Sequence, residues 1–311
     1  MENNTNHFKS LELDILLPSA LIKFMAMIVG VFGNITVVIC VLCSNKKKTA
    51  TSFLVANLAL ADLFVCLTLY PIWIVELVFT IFDISSDQDL FCKLSRGTSW
   101  ALLAASLATL LAISVDRYFY ILEPLKYPLI ITKKRVFKSI AVIWLCSCCL
   151  YAILHVYWRK SNSKLRSYCH LISDLFFELL NIFLGCLPLI IIFVLNFQIF
   201  TVARQQRKRI LAETTLTVDI PSEKSSRKLI RLLRFVIGLK TAKTFCIVVV
   251  VLAVCVVIPS ITGCIIDIYC SDRCRQIWFI VFHYEFYGIN SIVNPFIYGM
   301  RHTKYRNAYK D

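Results

Sequence analysis

Charged residues are scarce in this sequence, and their scarcity excludes a water-soluble globular protein. Only 17% of the 311 residues are charged, whereas 58% are hydrophobic. A soluble domain normally devotes about 25% of its residues to charge. We therefore expect the chain to lie in a lipid bilayer.

The sequence also lacks the residue groups that catalysis and zinc binding require. No nucleophile, base and orienting group occur at spacings that would bring them together. Cys169 and His170 alone cannot supply the four ligands of a zinc site. We therefore predict that the protein is neither an enzyme nor a zinc protein.

Seven apolar stretches are long enough to cross about 30 Å of hydrocarbon as helices that rise about 1.5 Å per residue. We number them spans 1 to 7, and they lie near residues 15–43, 51–79, 93–118, 139–158, 175–203, 244–266 and 277–300. Because lipid offers the backbone no hydrogen-bond partners, each span must be helical. The sequence thus predicts an all-α, seven-transmembrane bundle that forms one domain over residues 1–311.

The basic residues predict the orientation of this bundle. Segments on the side of Met1 hold 10 Lys and Arg against 12 Asp and Glu, whereas the opposite side holds 24 against 6. The positive-inside bias places the basic side in the cytoplasm. We expect a multi-pass plasma membrane protein with an extracellular N-terminus, 1–14, and a cytoplasmic loop, 204–243. Asn3 then lies in an extracellular glycosylation sequon, and the net charge of +15 requires no nucleic acid partner.

Two motifs close spans at the predicted cytoplasmic side. Asp116-Arg117-Tyr118 ends span 3, and Asn294-Pro295-Phe296-Ile297-Tyr298 ends span 7. Further residues occur span by span: Gly33-Asn34, Asn57 to Leu63, Trp144, Pro188, Pro259 and Asn290-Ser291. In this order and placement the chain resembles the rhodopsin-like (class A) G protein-coupled receptors over roughly residues 18–306.

The resemblance implies a receptor that passes an extracellular ligand signal to a heterotrimeric G protein. Asp116 would hold the Arg117 guanidinium by a charge-assisted hydrogen bond until the G protein competes for it. By itself, Arg117 would instead be read as an interfacial arginine that reaches lipid headgroups. Tyr118, Asn294, Pro295 and Tyr298 would complete the switch. The alternative functions are a receptor-shaped scaffold that does not couple and a seven-helix ion transporter.

Asp62 is the only acidic residue in the middle of a span, where an unpaired carboxylate is costly. The resemblance implies an allosteric sodium ion at Asp62. The polar residues expected around it are Asn34, Ser106, Asn290, Ser291 and Asn294. The alternative is a protonated or amide-bonded Asp62 that ties spans 1, 2 and 7 together through Asn34.

Two further features are expected outside the bundle. The resemblance implies that Cys92 at the start of span 3 pairs with Cys169, and the spacing of Cys270 and Cys274 is compatible with a second bridge. Free thiols are the alternative in both cases. The basic stretch Arg301 to Lys310 predicts a short amphipathic C-terminal eighth helix on the membrane surface.

The extracellular mouth of the bundle is the expected ligand site. Helical periodicity from Arg117 and Asn294 selects the candidates Arg96, Ser99, Trp100, Tyr284 and Tyr287. By resemblance, Ser99 stands where amine receptors carry Asp, and Gly288 stands where light-sensing receptors carry the retinal-binding Lys. We therefore expect a ligand that is neither a biogenic amine nor retinal.

Two positions and one stretch of the sequence bear on how the switch would work. By resemblance, Val257 replaces a Trp two residues before Pro259, and Asn196 replaces a Tyr eight residues after Pro188. No acidic residue lies between Arg227 and Lys243 to restrain Arg117 from span 6, so we expect a leaky inactive state.

Lys23 and Glu285 lie at similar predicted depth, and either an ion pair or a lysine that reaches the headgroups alone is expected.

Overall fold

The computed structural model describes residues 2–43, 49–82, 88–160, 179–215 and 223–301. Regular structure in these ranges is helical throughout, which confirms the all-α prediction. The helices, with the spans they contain, are Glu2–Cys43 (span 1), Ala50–Phe64 and Tyr70–Ile81 (span 2), Gln88–Leu122 (span 3), the short helix Tyr127–Ile130, Lys133–Lys160 (span 4), Leu187–Thr215 (span 5), Glu223–Tyr269 (span 6), and Asp272–Trp278 and Tyr284–Arg301 (span 7).

Three π-helical turns interrupt or precede these helices. Val65–Leu69 joins the two halves of span 2, Asn181–Cys186 precedes the helix of span 5, and Phe279–His283 joins the two helices of span 7. A π turn holds more backbone per turn than an α turn and changes the register of the helix after it. The sequence predicted the spans but gave no sign of these turns.

Six stretches in the described residues are long and apolar enough to cross a membrane. They are Leu13–Cys43, Ala50–Ile81, Gly97–Leu122, Lys133–Tyr157, Phe183–Val202 and Cys246–Gly263, and they match spans 1 to 6. Span 7 is the less apolar pair of helices that carries Asn290, Ser291 and Asn294 into the interior. Together the helices form the predicted seven-helix bundle.

Span 3 is the central helix of the bundle, since it contacts spans 2, 4, 5 and 6. Leu107, Leu110 and Ile113 of span 3 pack into the main core cluster with Leu58 of span 2 and Val248 of span 6. Large apolar side chains also cover the outside of the bundle, as lipid contact requires. Examples are Leu145, Phe193 and Val250, which are 65%, 66% and 61% exposed.

Two segments predicted to lie outside helices are helical for most of their length. The helix of span 5 runs to Thr215 and that of span 6 begins at Glu223, so the predicted loop 204–243 was too long. The first helix begins at Glu2, within the predicted segment 1–14. Hydropathy locates the lipid boundary but not the end of a helix, and Arg, Lys, Leu and Glu are good helix formers in water.

Asn57 of span 2 ties three spans together. Its Nδ2 donates to Thr109 Oγ1 of span 3 at 2.8 Å, and its Oδ1 accepts from Trp144 Nε1 of span 4 at 2.8 Å. Asn57 is buried and Trp144 is partly buried, so both bonds form away from water. The Asn57 amide thus links spans 2, 3 and 4, with its Nδ2 as donor and its Oδ1 as acceptor.

The predicted ion pair between Lys23 and Glu285 is formed, and it joins span 1 to span 7. Lys23 Nζ lies 2.7 Å from Glu285 Oε1, and the lysine side chain is 0% exposed. The alternative, a lysine that reaches the headgroups alone, is excluded by this burial.

Gly288 allows the Tyr70 ring of span 2 to pack directly against the backbone of span 7. A Cβ atom at Gly288 would overlap the Tyr70 hydroxyl and lie 2.6 Å from Cζ. Tyr70 is 0% exposed and lies against the Trp73 ring, so it has no free space into which to withdraw. Only glycine fits this position.

We predict that Gly288→Ala destabilises the bundle by about 1–3 kcal/mol through overpacking. The measurement is the thermal unfolding midpoint of the purified protein in detergent. Gly263→Ala is the matched control, because a Cβ atom there meets Trp278 at an ordinary 3.5 Å. Equal midpoints for the two variants would contradict the packing argument.

Candidate functional site

Arg117 is held inside the end of the bundle by Asp116. Its Nε and Nη2 both donate to Asp116 Oδ2, at 2.9 Å and 2.5 Å. Arg117 is 6% exposed and Asp116 is 1% exposed, so the pair is screened little by water. The guanidinium therefore does not reach outward, as an interfacial arginine would.

Thr51, at the start of span 2, completes this contact. Its Oγ1 donates to Asp116 Oδ2 at 2.7 Å and accepts a short hydrogen bond from Arg117 Nη2. The guanidinium also lies over the Tyr120 ring, 4.9 Å from its centroid, which adds a cation–π contact. Thr51 was not among the residues predicted from the sequence, since it lies 65 residues before its partner Asp116.

Tyr127 holds the other oxygen of the same carboxylate. It begins the short helix after span 3, and its hydroxyl donates to Asp116 Oδ1 at 2.9 Å. Burial, followed by the negative charge of Asp116, raises the pKa of Tyr127 above its ordinary value. The phenol therefore remains protonated and continues to donate at any physiological pH.

Tyr118, Asn294 and Pro295, further residues of the predicted switch, make their described contacts away from the Arg117 guanidinium. Tyr118 packs beside Ile121 and Ile199 toward span 5. Asn294 bonds Asp62 instead, and Pro295 faces Gly33 of span 1. The side chain of Tyr298 lies outside the described part of the chain. The structure thus forms two polar centres, one at Arg117 and one at Asp62.

The second centre is the completely buried carboxylate of Asp62. Asn294 Nδ2 donates to Asp62 Oδ2 at 2.8 Å, and Ser291 lies beside the same carboxyl group. Asp62 Oδ1 accepts no hydrogen bond, although it is buried. Asn34 does not bond Asp62; its Nδ2 donates to the carbonyls of Gly30 and Ser291, at 3.0 Å and 2.9 Å.

A small cavity of about 20 Å³ adjoins this centre. It is lined by Val65, Leu103, Ser106, Leu252, Cys255, Val256, Tyr287, Asn290 and Ser291. Asn290 Oδ1 is buried without a hydrogen-bond partner, as is Asp62 Oδ1. The volume suffices for one water-sized occupant, and neutral oxygens near one carboxylate suit a hard cation such as sodium. The described residues contain no group of His, Cys, Asp and Glu that could hold another metal.

Spans 5 and 6 meet through Asn196 at the Arg117 end of the bundle. Asn196 Nδ2 donates to its own helix at Ile192 O, 2.8 Å, and to Ser114 Oγ of span 3, 3.3 Å. The Cys246 thiol of span 6 donates to Asn196 Oδ1 at 3.4 Å. A thiol is a weak donor, so this polar link between spans 5 and 6 is weak.

The residues of span 6 that line the cavity differ from those that the family resemblance implied. Val257, the position of the absent Trp, is 47% exposed and points away from the interior. Cys255 and Val256 line the cavity in its place. The space near Asn290 is therefore bounded from span 6 by aliphatic and thiol side chains instead of an aromatic ring.

The predicted ligand residues lie at the other end of the bundle, where aromatic rings fill the space between spans 2, 3 and 7. Tyr284 stacks on Trp73 with ring centroids 4.7 Å apart, and the Tyr287 hydroxyl donates a short hydrogen bond to Ser99 O. Trp100 is half-buried, and the side chain of Arg96 is not described. Tyr70 and Trp73, which are 0% exposed and complete the cluster, were not predicted from the sequence.

The Cys270–Cys274 disulfide is present at this end, with its Cα atoms 5.6 Å apart. It closes the connection between spans 6 and 7. Cys169 and the segment after Arg301, including the predicted eighth helix, lie outside the described residues. The side chains of Asn3 and Cys92 are likewise not described.

Comparison with known proteins places this architecture in a family. The sequence model described as 7 transmembrane receptor (rhodopsin family) matches residues 33–298. The alpha-1A adrenergic receptor of Oryzias latipes is 27% identical over 309 residues, 90% of this chain and 63% of that protein. The human alpha-1A adrenergic receptor is 27% identical over 91% of this chain and 64% of its own length. The human histamine H2 receptor is 28% identical over 59% of this chain and 52% of its length.

The chain therefore spans a little under two thirds of the length of the adrenergic receptors that it matches. The family match covers most of spans 1 to 7 and both polar centres. On these grounds the chain belongs to the rhodopsin family of seven-transmembrane receptors.

Proposed function

We propose that this chain is a plasma membrane receptor, with its N-terminus outside the cell, that passes an extracellular ligand signal to a heterotrimeric G protein. The observation that carries the proposal is the buried Arg117, which is held by Asp116 and Thr51 at the basic end of the bundle. The positive-inside bias supports the orientation. In this orientation the Arg117 end faces the cytoplasm.

Release of Arg117 is the proposed activating step. When the guanidinium leaves, Asp116 retains the hydroxyl donors of Thr51 and Tyr127, so its charge is not left bare in the interior. A buried charge without partners would cost several kcal/mol. The remaining donors therefore lower the cost of release. Pro259 supplies the hinge about which the cytoplasmic half of span 6 would move outward.

We predict that Arg117→Ala lowers ligand-free nucleotide exchange on Gα, because the wild-type inactive state is leaky. Membranes from transfected cells are assayed with several Gα subtypes, and surface amounts are matched by staining an N-terminal epitope on intact cells. Arg135→Ala is the control, since Arg135 is exposed and its guanidinium donates to the carbonyls of Leu129 and Ile130.

In the same assay we expect Tyr127→Phe to lower exchange by at most about fivefold. The variant loses one hydrogen bond, about 1 kcal/mol, in both states, but the loss costs the released state more, because Asp116 then keeps Thr51 alone. Exchange at the level of untransfected membranes in wild type and variants alike would favour the non-coupling scaffold. An epitope that is stained only after permeabilisation would refute the orientation.

We also propose that the ligand is not a biogenic amine, although the relatives compared above are named as adrenergic and histamine receptors. Ser99 offers no carboxylate to an ammonium group, and its carbonyl already accepts from Tyr287. Glu285, an acidic residue beside this aromatic cluster, is paired with Lys23. Neither Ser99 nor Glu285 therefore offers a free carboxylate to an ammonium ligand.

We predict that neither adrenaline nor histamine stimulates nucleotide exchange in membranes that carry this receptor. The human alpha-1A and histamine H2 receptors, run in parallel, provide the positive controls. Stimulation at micromolar concentrations of either amine, lost in Ser99→Ala, would show that this site binds amines without a carboxylate.

A sodium ion at Asp62 is the third part of the proposal. Asp62 would supply its charge, and Ser106, Asn290 and Ser291 would supply neutral oxygens from the cavity wall. Unpartnered buried oxygens on Asp62 and Asn290, and a further one on Asn34, support a bound cation or water there. When bound, the ion would neutralise the buried carboxylate and link span 2 to spans 3 and 7.

We predict that sodium chloride raises the thermal midpoint of the purified protein relative to choline chloride at equal ionic strength. Binding only to the folded state adds about 1.4 kcal/mol at ten times the dissociation constant. Asp62→Asn should abolish the difference, whereas Asp14→Asn, which changes an exposed acid, should retain it. A sodium effect that persists unchanged in Asp62→Asn would rule out this site.

A further inference from the structure

The π turn Phe279–His283 in span 7 requires a stabilising partner. It separates helix Asp272–Trp278 from helix Tyr284–Arg301. π turns have poorer geometry than α turns and occur as isolated single turns inside helices. Since the extra backbone is less stable than a continuous α-helix, contacts outside the helix must favour it.

Lys23 of span 1 makes contacts to this turn and to the helix after it. Its Nζ donates to Val281 O inside the π turn at 3.4 Å and to Glu285 Oε1 at 2.7 Å. The third donor of the ammonium reaches Ser19 Oγ, one helical turn earlier in span 1, at 3.3 Å. A lysine has three N–H donors, and each of these three finds an acceptor.

The burial of this lysine makes its contacts obligatory. Lys23 is 0% exposed, so water cannot replace any of its acceptors. Losing a partner from a buried charge is strongly unfavourable. A displaced π turn would move Val281 O away from the ammonium and leave one donor unpaired. Lys23 therefore favours the one register of span 7 in which Val281 O and Glu285 face it together.

The same register fixes which residues of span 7 face the interior on each side of the turn. Ile280 and Val281 pack with Trp73 in one cluster before the turn ends, and Tyr284 stacks on Trp73 after it. A change of one residue in register rotates one part of a helix by about 100° relative to the other. Ile280, which is 0% exposed, would then leave the interior, and the half-exposed Phe282 would turn inward.

We propose that Lys23 is a positioning residue that fixes the register of span 7 by binding the π turn and Glu285 from span 1. The contacts of Ile280, Val281 and Tyr284 with span 2 depend on this register. The inference concerns the packing of spans 1, 2 and 7 and does not rest on the proposed function.

The test measures the register directly by cysteine labelling. Ile280→Cys and Phe282→Cys are introduced separately and labelled with a small thiol reagent in membranes, relative to the parent chain. In wild type, the cysteine at position 282 should label well and that at 280 poorly. In Lys23→Met we expect labelling at 280 to rise at least threefold and labelling at 282 to fall.

Two further variants separate register from general stability. Lys126→Met removes an exposed lysine whose pair with Glu123 has the same 2.7 Å separation, and it should leave both labelling rates unchanged. Lys23→Met combined with Glu285→Gln removes the ammonium together with the carboxylate that it binds, so it remains informative where Lys23→Met alone does not fold. It should reproduce the change in labelling. Unchanged labelling at 280 and 282 in this double variant would overturn the proposal.

Deletion of Phe282 from the double variant provides the last comparison. Removing one residue converts the π turn to an α turn, and the residues of the flanking helices continue to point in the same directions. The cysteine at position 280 should then be protected again. Continued labelling at 280 would show that the segment had loosened instead of changing register, which would also overturn the proposal.

Discussion

A polar side chain inside a membrane-spanning bundle must find its hydrogen-bond partners within the protein, and this constraint organises the structure. Arg117, Lys23 and Asn57 are buried, and each of them bonds a neighbouring span. Lipid tails are as apolar as the side chains, so apolar surface alone gives helices little reason to associate, and their pairing depends on close packing and on interhelical hydrogen bonds. Gly288 against Tyr70 is an example of the first, and the buried polar groups supply the second. Asn34, Asp62 and Asn290 each keep one buried oxygen without a hydrogen-bond partner.

The positions of the spans followed from the sequence because hydropathy reports the thickness of the bilayer. Spans 1 to 6 match the observed apolar stretches closely. The ends of the helices did not follow, as the continuation to Thr215 and the start at Glu223 show, because helices continue into water wherever helix-forming residues allow. The π turns could not be predicted, since long-range contacts such as that of Lys23 with Val281 favour them.

Contacts between neighbouring residues of the candidate site could be predicted from the sequence, whereas contacts between residues distant in the sequence could not. Asp116 and Arg117 are adjacent in the sequence, so their contact could be predicted without knowing how the helices pack. Thr51 reaches them from another span, and Tyr127 reaches them from beyond the end of span 3. Trp73 likewise joins the aromatic cluster only through the packing of span 2 against span 7. Neither residue type nor spacing distinguishes these side chains from other threonines and aromatics.

The bonds of Asn57 divide the bundle mechanically. Since one amide holds Thr109 and Trp144 at once, spans 2, 3 and 4 are tied together as one rigid unit. Near the Arg117 end, spans 5 and 6 are joined by the long thiol contact of Cys246 with Asn196, which is a weak hydrogen bond. A rearrangement at that end would therefore meet less polar resistance between spans 5 and 6 than among spans 2, 3 and 4.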